Sequence, residues 1–312
     1  MENLYSVLTR VERAAFSLRG LYAQNGYQKY RMSKFEEYDL YAQNKDFLVS
    51  ENVITFTDTD GRLMALKPDV TLSIIKNSKD LPASLTKVYY NENVYRVSKG
   101  TNSFQEIPQA GIECFGNVTP SAVSEVVYLA AKSLTLLAEE TVLLVSHLDI
   151  VWGVLSAFAL SAEGKKEIFR LLSEKNEQGV KAICQQEGLS QQQTALVCRL
   201  VTVYGAPASV WEDLDGFAVD DTTQAAVAQL KALLSDLTAR GVTNVCVDFS
   251  VVNDRSYYNG VAFKGFIYGI PSGVVSGGQY DKLMQKLNKK SRAVGFAVYL
   301  GELDKLPEEE AK

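Results

Sequence analysis

The sequence predicts an α+β fold: an antiparallel sheet flanked by helices, with a helical insertion let into its middle. Three observations carry this. Residues 87–116, K-V-Y-Y-N-E-N-V-Y-R-V-S-K-G-T-N-S-F-Q-E-I-P-Q-A-G-I-E-C-F-G, read as two strands joined by a polar loop. Aromatic and β-branched runs recur near the C-terminus, at 245–252, 257–268, 274–276 and 293–300. Between these ends, residues 161–229 change texture to segments of Leu, Ala, Lys, Glu and Gln punctuated by Gly164, Gly179, Gly188 and Gly205. Strands joined mostly by hairpins, with helices between them, belong to the α+β class. The expected organisation is residues 1–160 as the first part of a sheet core, 161–229 as the insertion, and 230–312 as the second part.

The elements follow in order. Leu4, Val7, Leu8, Val11, Ala15, Leu18 and Tyr22 fall at helical spacing over 4–25, stopped by Gly26. A strand is expected at 27–30. Residues 53–56 and 62–66 flank T-D-T-D-G, a hairpin whose glycine tolerates positive φ. Asp69 then opens a short helix, D-V-T-L-S-I-I-K, where it serves as an N-cap whatever else it does. In the long hairpin Arg96 lies near the loop, and Gln109 and Glu113, four residues apart, share one face of the returning strand. Inward-facing polar side chains on a central strand are costly unless something binds them. Helices are expected at 121–137 and at 222–240, the latter ended by Gly241, with a strand at 141–146. His147 follows that apolar strand and reads as structural rather than as a ligand or base.

Composition narrows the function. The chain has 312 residues, 22% charged and 46% hydrophobic, which is enough for a large core with an insertion. A net charge of −5 leaves no electrostatic footprint for nucleic acid. Cys114, Cys184, Cys198 and Cys246 stand singly and His147 is the one histidine, so a Cys/His zinc site is not expected. Reduced thiols, the absence of a leader in M-E-N-L-Y-S-V-L-T-R and the lack of a long apolar run together point to a cytoplasmic protein with no membrane contact.

Four blocks in order carry a resemblance: L-K-P-D-V-T (66–71), the hairpin with Q-A-G-I-E (109–113), N-D-R-S-Y-Y-N-G (253–260), and G-G-Q-Y-D-K-L (277–283) followed by A-V-G-F-A-V-Y-L (293–300). Over about residues 5–303 the chain resembles the catalytic core of class II histidyl-tRNA synthetase. The resemblance implies a histidine-like pocket from Asp69, Thr71, Arg96, Gln109, Glu113, Tyr258 and Tyr280. That set suits a zwitterion: carboxylates meet an ammonium, phenols and an amide satisfy an imidazole, and Arg96 pairs with a carboxylate or phosphate.

The nucleotide half departs from the family. Ser98 stands where an acidic residue meets adenine, and Glu302 and Asn253 stand where arginines serve adenylate formation. A carboxylate facing triphosphate is repulsive. Lys67 replaces an arginine, losing bidentate geometry. The sequence also ends at Lys312, where a synthetase continues into an anticodon-binding domain. These departures make the chain similar to the regulatory subunits of ATP phosphoribosyltransferase, paralogues of the synthetase in histidine biosynthesis. The resemblance implies a non-catalytic allosteric subunit, paired as a dimer within a hetero-octamer with the short catalytic subunit. It implies histidine as effector, and no cofactor in this chain, with magnesium at the partner's active site. The alternative implied is a histidyl-tRNA synthetase or another adenylate-forming paralogue.

Overall fold

The computed structural model describes residues 7–44, 53–98, 101–252 and 258–307. In chain order these form α1 (Arg10–Gln24), β1 (Gln28–Lys29), β2 (Phe35–Glu37), α2 (Tyr38–Ala42), β3 (Thr55–Thr57), β4 (Leu63–Leu66), α3 (Val70–Asn77), β5 (Leu85–Val97) and β6 (Phe104–Gly116). Then come α4 (Pro120–Leu137), β7 (Thr141–His147), α5 (Leu148–Ser156), α6 (Ala162–Ser173), α7 (Glu177–Gln186), α8 (Gln191–Thr202), β8 (Tyr204–Gly205), α9 (Pro207–Asp215) and α10 (Asp221–Ala239). The chain closes with β9 (Val245–Asp248), β10 (Asn259–Ile267), β11 (Val275–Gln279), α11 (Asp281–Lys286), β12 (Arg292–Tyr299) and a 3₁₀ turn at Leu300–Lys305.

A nine-stranded sheet in the order β1-β5-β6-β12-β11-β10-β7-β9-β8 forms the centre, beside a small sheet β2-β4-β3. The fold is the expected α+β one, with an antiparallel-rich sheet flanked by helices. Two pairings differ from a purely antiparallel plan: β1 with β5 and β7 with β9 run parallel. Helices α1 and α4 pack on one face of the sheet, where Leu18, Tyr22, Ile112, Val126, Val127, Leu134 and Phe296 are buried together. Each such side chain contributes about 1.5–3 kcal/mol. The opposite face carries a smaller cluster in which Val88, Tyr90, Val94 and Phe115 meet Leu72 and Ile75 of α3 and Leu283 and Met284 of α11.

Several boundaries move for identifiable reasons. The first helix begins at Arg10 rather than near residue 4, because Thr9 caps it. Thr9 Oγ1 accepts from Glu12 N–H at 3.2 Å and Glu12 Oε2 accepts from Thr9 N–H at 2.8 Å. Strand β2 and helix α5 were not expected. The expected boundary at 229/230 falls inside α10, and β8, within the helical stretch, pairs with β9 at the sheet edge.

Candidate functional site

The site is built on the sheet face opposite α1 and α4. Register fixes what lies side by side: Glu113 of β6 is opposite Val88 and Gly295, Gly111 is opposite Tyr90, and Gln109 is opposite Glu92 and Tyr299. Gly278 of β11 continues the row beyond Gly295. Strand alternation therefore turns Tyr90, Gln109, Glu113 and Tyr299 to one side.

Helix α3 delivers the next groups. Asp69 sits in extended conformation as its N-cap, with Oδ1 accepting Leu72 N–H at 2.8 Å. This places Thr71 on the first turn, and its hydroxyl donates to Glu113 Oε1 at 2.5 Å. Tyr280, directly after β11, donates its phenol to Glu113 Oε2. Both carboxylate oxygens are thus engaged, and Glu113 is 1% exposed. Burial pushes its pKa up to about 8, opposed by these two hydroxyl donors and reinforced by the nearby Asp69 carboxylate. Asp69 is raised too, by burial first, against the Leu72 N–H and the Arg96 cation. No side chain fits between Glu113 and β12: a Cβ on Gly295 would overlap Glu113 Oε2. Glycine there gives the carboxyl its room.

The remaining expected residues take separate places. The Tyr258 ring lies against Gly278, its phenol bonds Ser276, and burial followed by Tyr299, Glu113 and Asp69 raises its pKa well above the phenol value. Gln109 is buried on the same face. Arg96 is set back from Glu113: its Nε donates to Pro68 O at 3.0 Å, and its charge acts on Asp69 and Tyr299. The structure thus gathers Asp69, Thr71, Glu113, Tyr258 and Tyr280 closely, with Arg96 at the Asp69 side.

Two site phenols, Tyr90 and Tyr299, were not among the expected residues. Both are pushed up by burial, Tyr90 also by Glu113 and Asp69, and Tyr299 also by Asp69 against Arg96. Tyr90 had a signal, since it shares the period-two face of Glu92 and Arg96; Tyr299 is identified only by the pairing of β12 with β6.

At the positions expected to face nucleotide, Lys67 is fully buried and its ammonium donates to Glu92 Oε2 at 3.0 Å. The Glu302 carboxylate is occupied by the Ser272 hydroxyl and by Lys305 Nζ at 2.6 Å. Asn253 lies outside the described residues. His147 is on the helix-covered side, with Nε2 3.3 Å from Gln229 Oε1 of α10; burial lowers its pKa, with Asp149 opposing. The four cysteines are free, and among the described residues no His, Cys, Asp or Glu cluster could hold a metal ion. No helix among the described residues is long and apolar enough to cross a membrane. An open groove of about 880 Å³ between α9 and α10, lined by Pro207, Trp211 and Thr238 among others, shares no residue with this site.

Comparison with known proteins gives the family and the fold. Residues 3–303 match the family model described as histidyl-tRNA synthetase. A curated relative from Acetivibrio thermocellus, named ATP phosphoribosyltransferase regulatory subunit, is 25% identical over 288 residues, covering 90% of this chain and 68% of the relative. The fold is shared with an ATP phosphoribosyltransferase regulatory subunit/histidyl-tRNA synthetase from Bacillus halodurans, at TM-score 0.84 and 23% identity over 99% of this chain and 82% of that one. It is also shared with a chain of an ATP phosphoribosyl transferase (HisG:HisZ) complex from Thermotoga maritima, at TM-score 0.71 and 17% identity over 92% and 96%.

Proposed function

The chain belongs to the histidyl-tRNA synthetase family, and from that premise we propose that it is a non-catalytic regulatory subunit of ATP phosphoribosyltransferase. The observation that carries this reading is the contrast between the two halves of the site. In the half expected to hold an amino acid, Glu113 has Thr71 and Tyr280 on its two oxygens and Tyr258 nearby. The half that would meet phosphates has a carboxylate at Glu302, turned to Ser272 and Lys305. A carboxylate at that position, itself paired with Lys305, opposes rather than neutralises the charge developing during adenylate formation. The names of the relatives support a catalytic subunit of ATP phosphoribosyltransferase as the partner; in this reading that partner is the short form and carries the magnesium-dependent reaction of ATP with phosphoribosyl pyrophosphate. In this reading the chain works in the cytoplasm, pairs with a second copy inside a hetero-octamer, and contacts no nucleic acid.

Histidine is the proposed effector. Feedback inhibition requires it to bind one state of the complex better than another, through groups that do no chemistry themselves. The test mixes the chain with a short-form catalytic subunit and measures elution volume, rate and histidine inhibition. Expected are a larger complex, a raised rate, and inhibition that in Glu113→Ala needs at least about tenfold more histidine, since loss of a buried carboxylate partner is worth on the order of 1–3 kcal/mol. Unchanged elution and rate would remove the assignment. Histidine-dependent pyrophosphate exchange by the chain alone would establish the synthetase reading instead.

A further inference from the structure

Two segments end at a tyrosine of the Glu113 site, and each tyrosine is followed by a polar residue that bonds the other segment. Asn259, after Tyr258, accepts Asp281 N–H on Oδ1 at 2.8 Å and donates from Nδ2 to Asp281 Oδ2 at 3.2 Å. Asp281, after Tyr280, accepts Ala293 N–H on Oδ1 at 2.9 Å and Arg292 Nε on Oδ2 at 3.1 Å. The pair therefore ties β10 to the start of α11 and to β12.

The β10–β11 ladder is irregular at this point. Asn259 is opposite Gln279 and Ala262 opposite Gly278, so Gly260 and Val261 are extra residues on β10. Gly260 adopts φ +59, a left-handed conformation that suits glycine, and a Cβ there would overlap Gln279 Oε1. The Gln279 carboxamide instead accepts Val261 N–H at 2.9 Å, supplying the bond the interrupted ladder cannot. The consequence is one of register. Continuing the Ala262–Gly278 pairing without the bulge would set Tyr258 level with Lys282. The two extra residues bring it level with Tyr280, about 7 Å along the strand at 3.2–3.4 Å per residue.

We propose that Asn259, Gln279 and Asp281 are positioning residues, a polar splint across the β10–β11 bulge that holds Tyr258 beside Tyr280 and so fixes the fit of the Glu113 pocket to its amino-acid ligand. The proposal rests on the reading of that pocket as a histidine site. Its action runs through the tyrosines, since the splint residues bond backbone, one another and Arg292 rather than the Glu113 carboxyl.

The experiment measures L-histidine binding by calorimetry on the full chain in complex with its catalytic partner, together with crystal structures of the variants. Asn259→Ala and Asn259→Asp are expected to weaken binding about tenfold, and the exchanged pair Asn259→Asp with Asp281→Asn, which reverses donor and acceptor between them but gives up the exposed Arg292 bond, to restore it to within about threefold. In a Tyr258→Ala background, Asn259→Ala should cost no further affinity, a result that a merely structural role would not produce. The crystal structure of Asn259→Ala is expected to show Tyr258 displaced from Gly278. Tyrosines that keep their places, or an Asn259→Ala chain that binds as wild type does, would overturn the splint. A wild-type complex that binds no histidine would instead overturn the proposed function, while the tyrosine positions still decide the splint.

Discussion

At the scale of the residue, the site turns on the state of Glu113. Its ordinary pKa of 4.5 is moved up to about 8 because the carboxyl is buried, and the Thr71 and Tyr280 hydroxyls only partly offset the loss of water. The fold therefore holds a proton that the unfolded chain releases across the interval between those two values. Stability from this group is fully present below about pH 4.5 and is lost as pH rises through about 8. Glu113→Gln keeps an acceptor and removes the titration, so its melting temperature is expected to fall less than that of wild type between about pH 5 and 9. Thermal scans across that range test this; parallel slopes for the two proteins would show that the proton is not held. Glu113 and Gln109 were legible as inward polar groups because four residues along a strand return to the same face. What met Glu113 was not legible, because Thr71 is 42 residues away and Tyr280 is 167.

At the scale of the element, helix α3 shows local and distant causes combined. Asp69 was readable as an N-cap from D-V-T-L-S-I-I-K, and its Oδ1 accepts Leu72 N–H at 2.8 Å. The same cap orients the first turn that presents Thr71 to Glu113. Asp69→Ala is expected to lower stability by about 1 kcal/mol in urea denaturation and to weaken histidine binding as well, whereas Asp69→Asn, an equally good cap, keeps the stability. Equal losses in the two variants would mean that the charge, rather than the cap, stabilises α3. The β10 bulge is the opposite case. Nothing in Y-Y-N-G-V-A-F marks two extra residues, since a bulge is defined only against the strand it faces.

At the scale of the molecule, the helical stretch is tied to the sheet by an ion pair. Lys175 follows α6 with φ +53 and reaches Asp248 Oδ2 at the end of β9 at 2.6 Å. The Asp248 side chain is 1% exposed and that of Lys175 47%, and Ser250 N–H and Oγ both donate to Asp248 Oδ1. Lys175→Met leaves a buried carboxylate with one oxygen unpaired and is expected to cost on the order of 1–3 kcal/mol. Asp248→Asn added to Lys175→Met should recover part of that loss, because the stranded charge is gone; chemical denaturation of the three variants checks it. If the double variant is less stable than Lys175→Met, burial of the charge is not the cause.

The sequence by itself determined the class of fold, most of its helices and strands, the cap on α3, and five residues of the site that the structure gathers: Asp69, Thr71, Glu113, Tyr258 and Tyr280. The elements, the Asp69 cap and the inward face of Glu113 follow from local rules, since capping, glycine stops, and the periods of 3.6 and 2 act over a few neighbouring residues. Thr71, Tyr258 and Tyr280 come only from the resemblance of their motifs to the synthetase family. Only the tertiary structure decided that Tyr90 and Tyr299 join them, that Arg96 turns to Pro68 and Asp69, that β7 and β9 run parallel, and that Tyr258 stands level with Tyr280. Alternation says which residues of one strand share a face. Which face is covered, and in what register strands far apart in sequence meet, depends on burial and hydrogen bonding summed over the whole sheet.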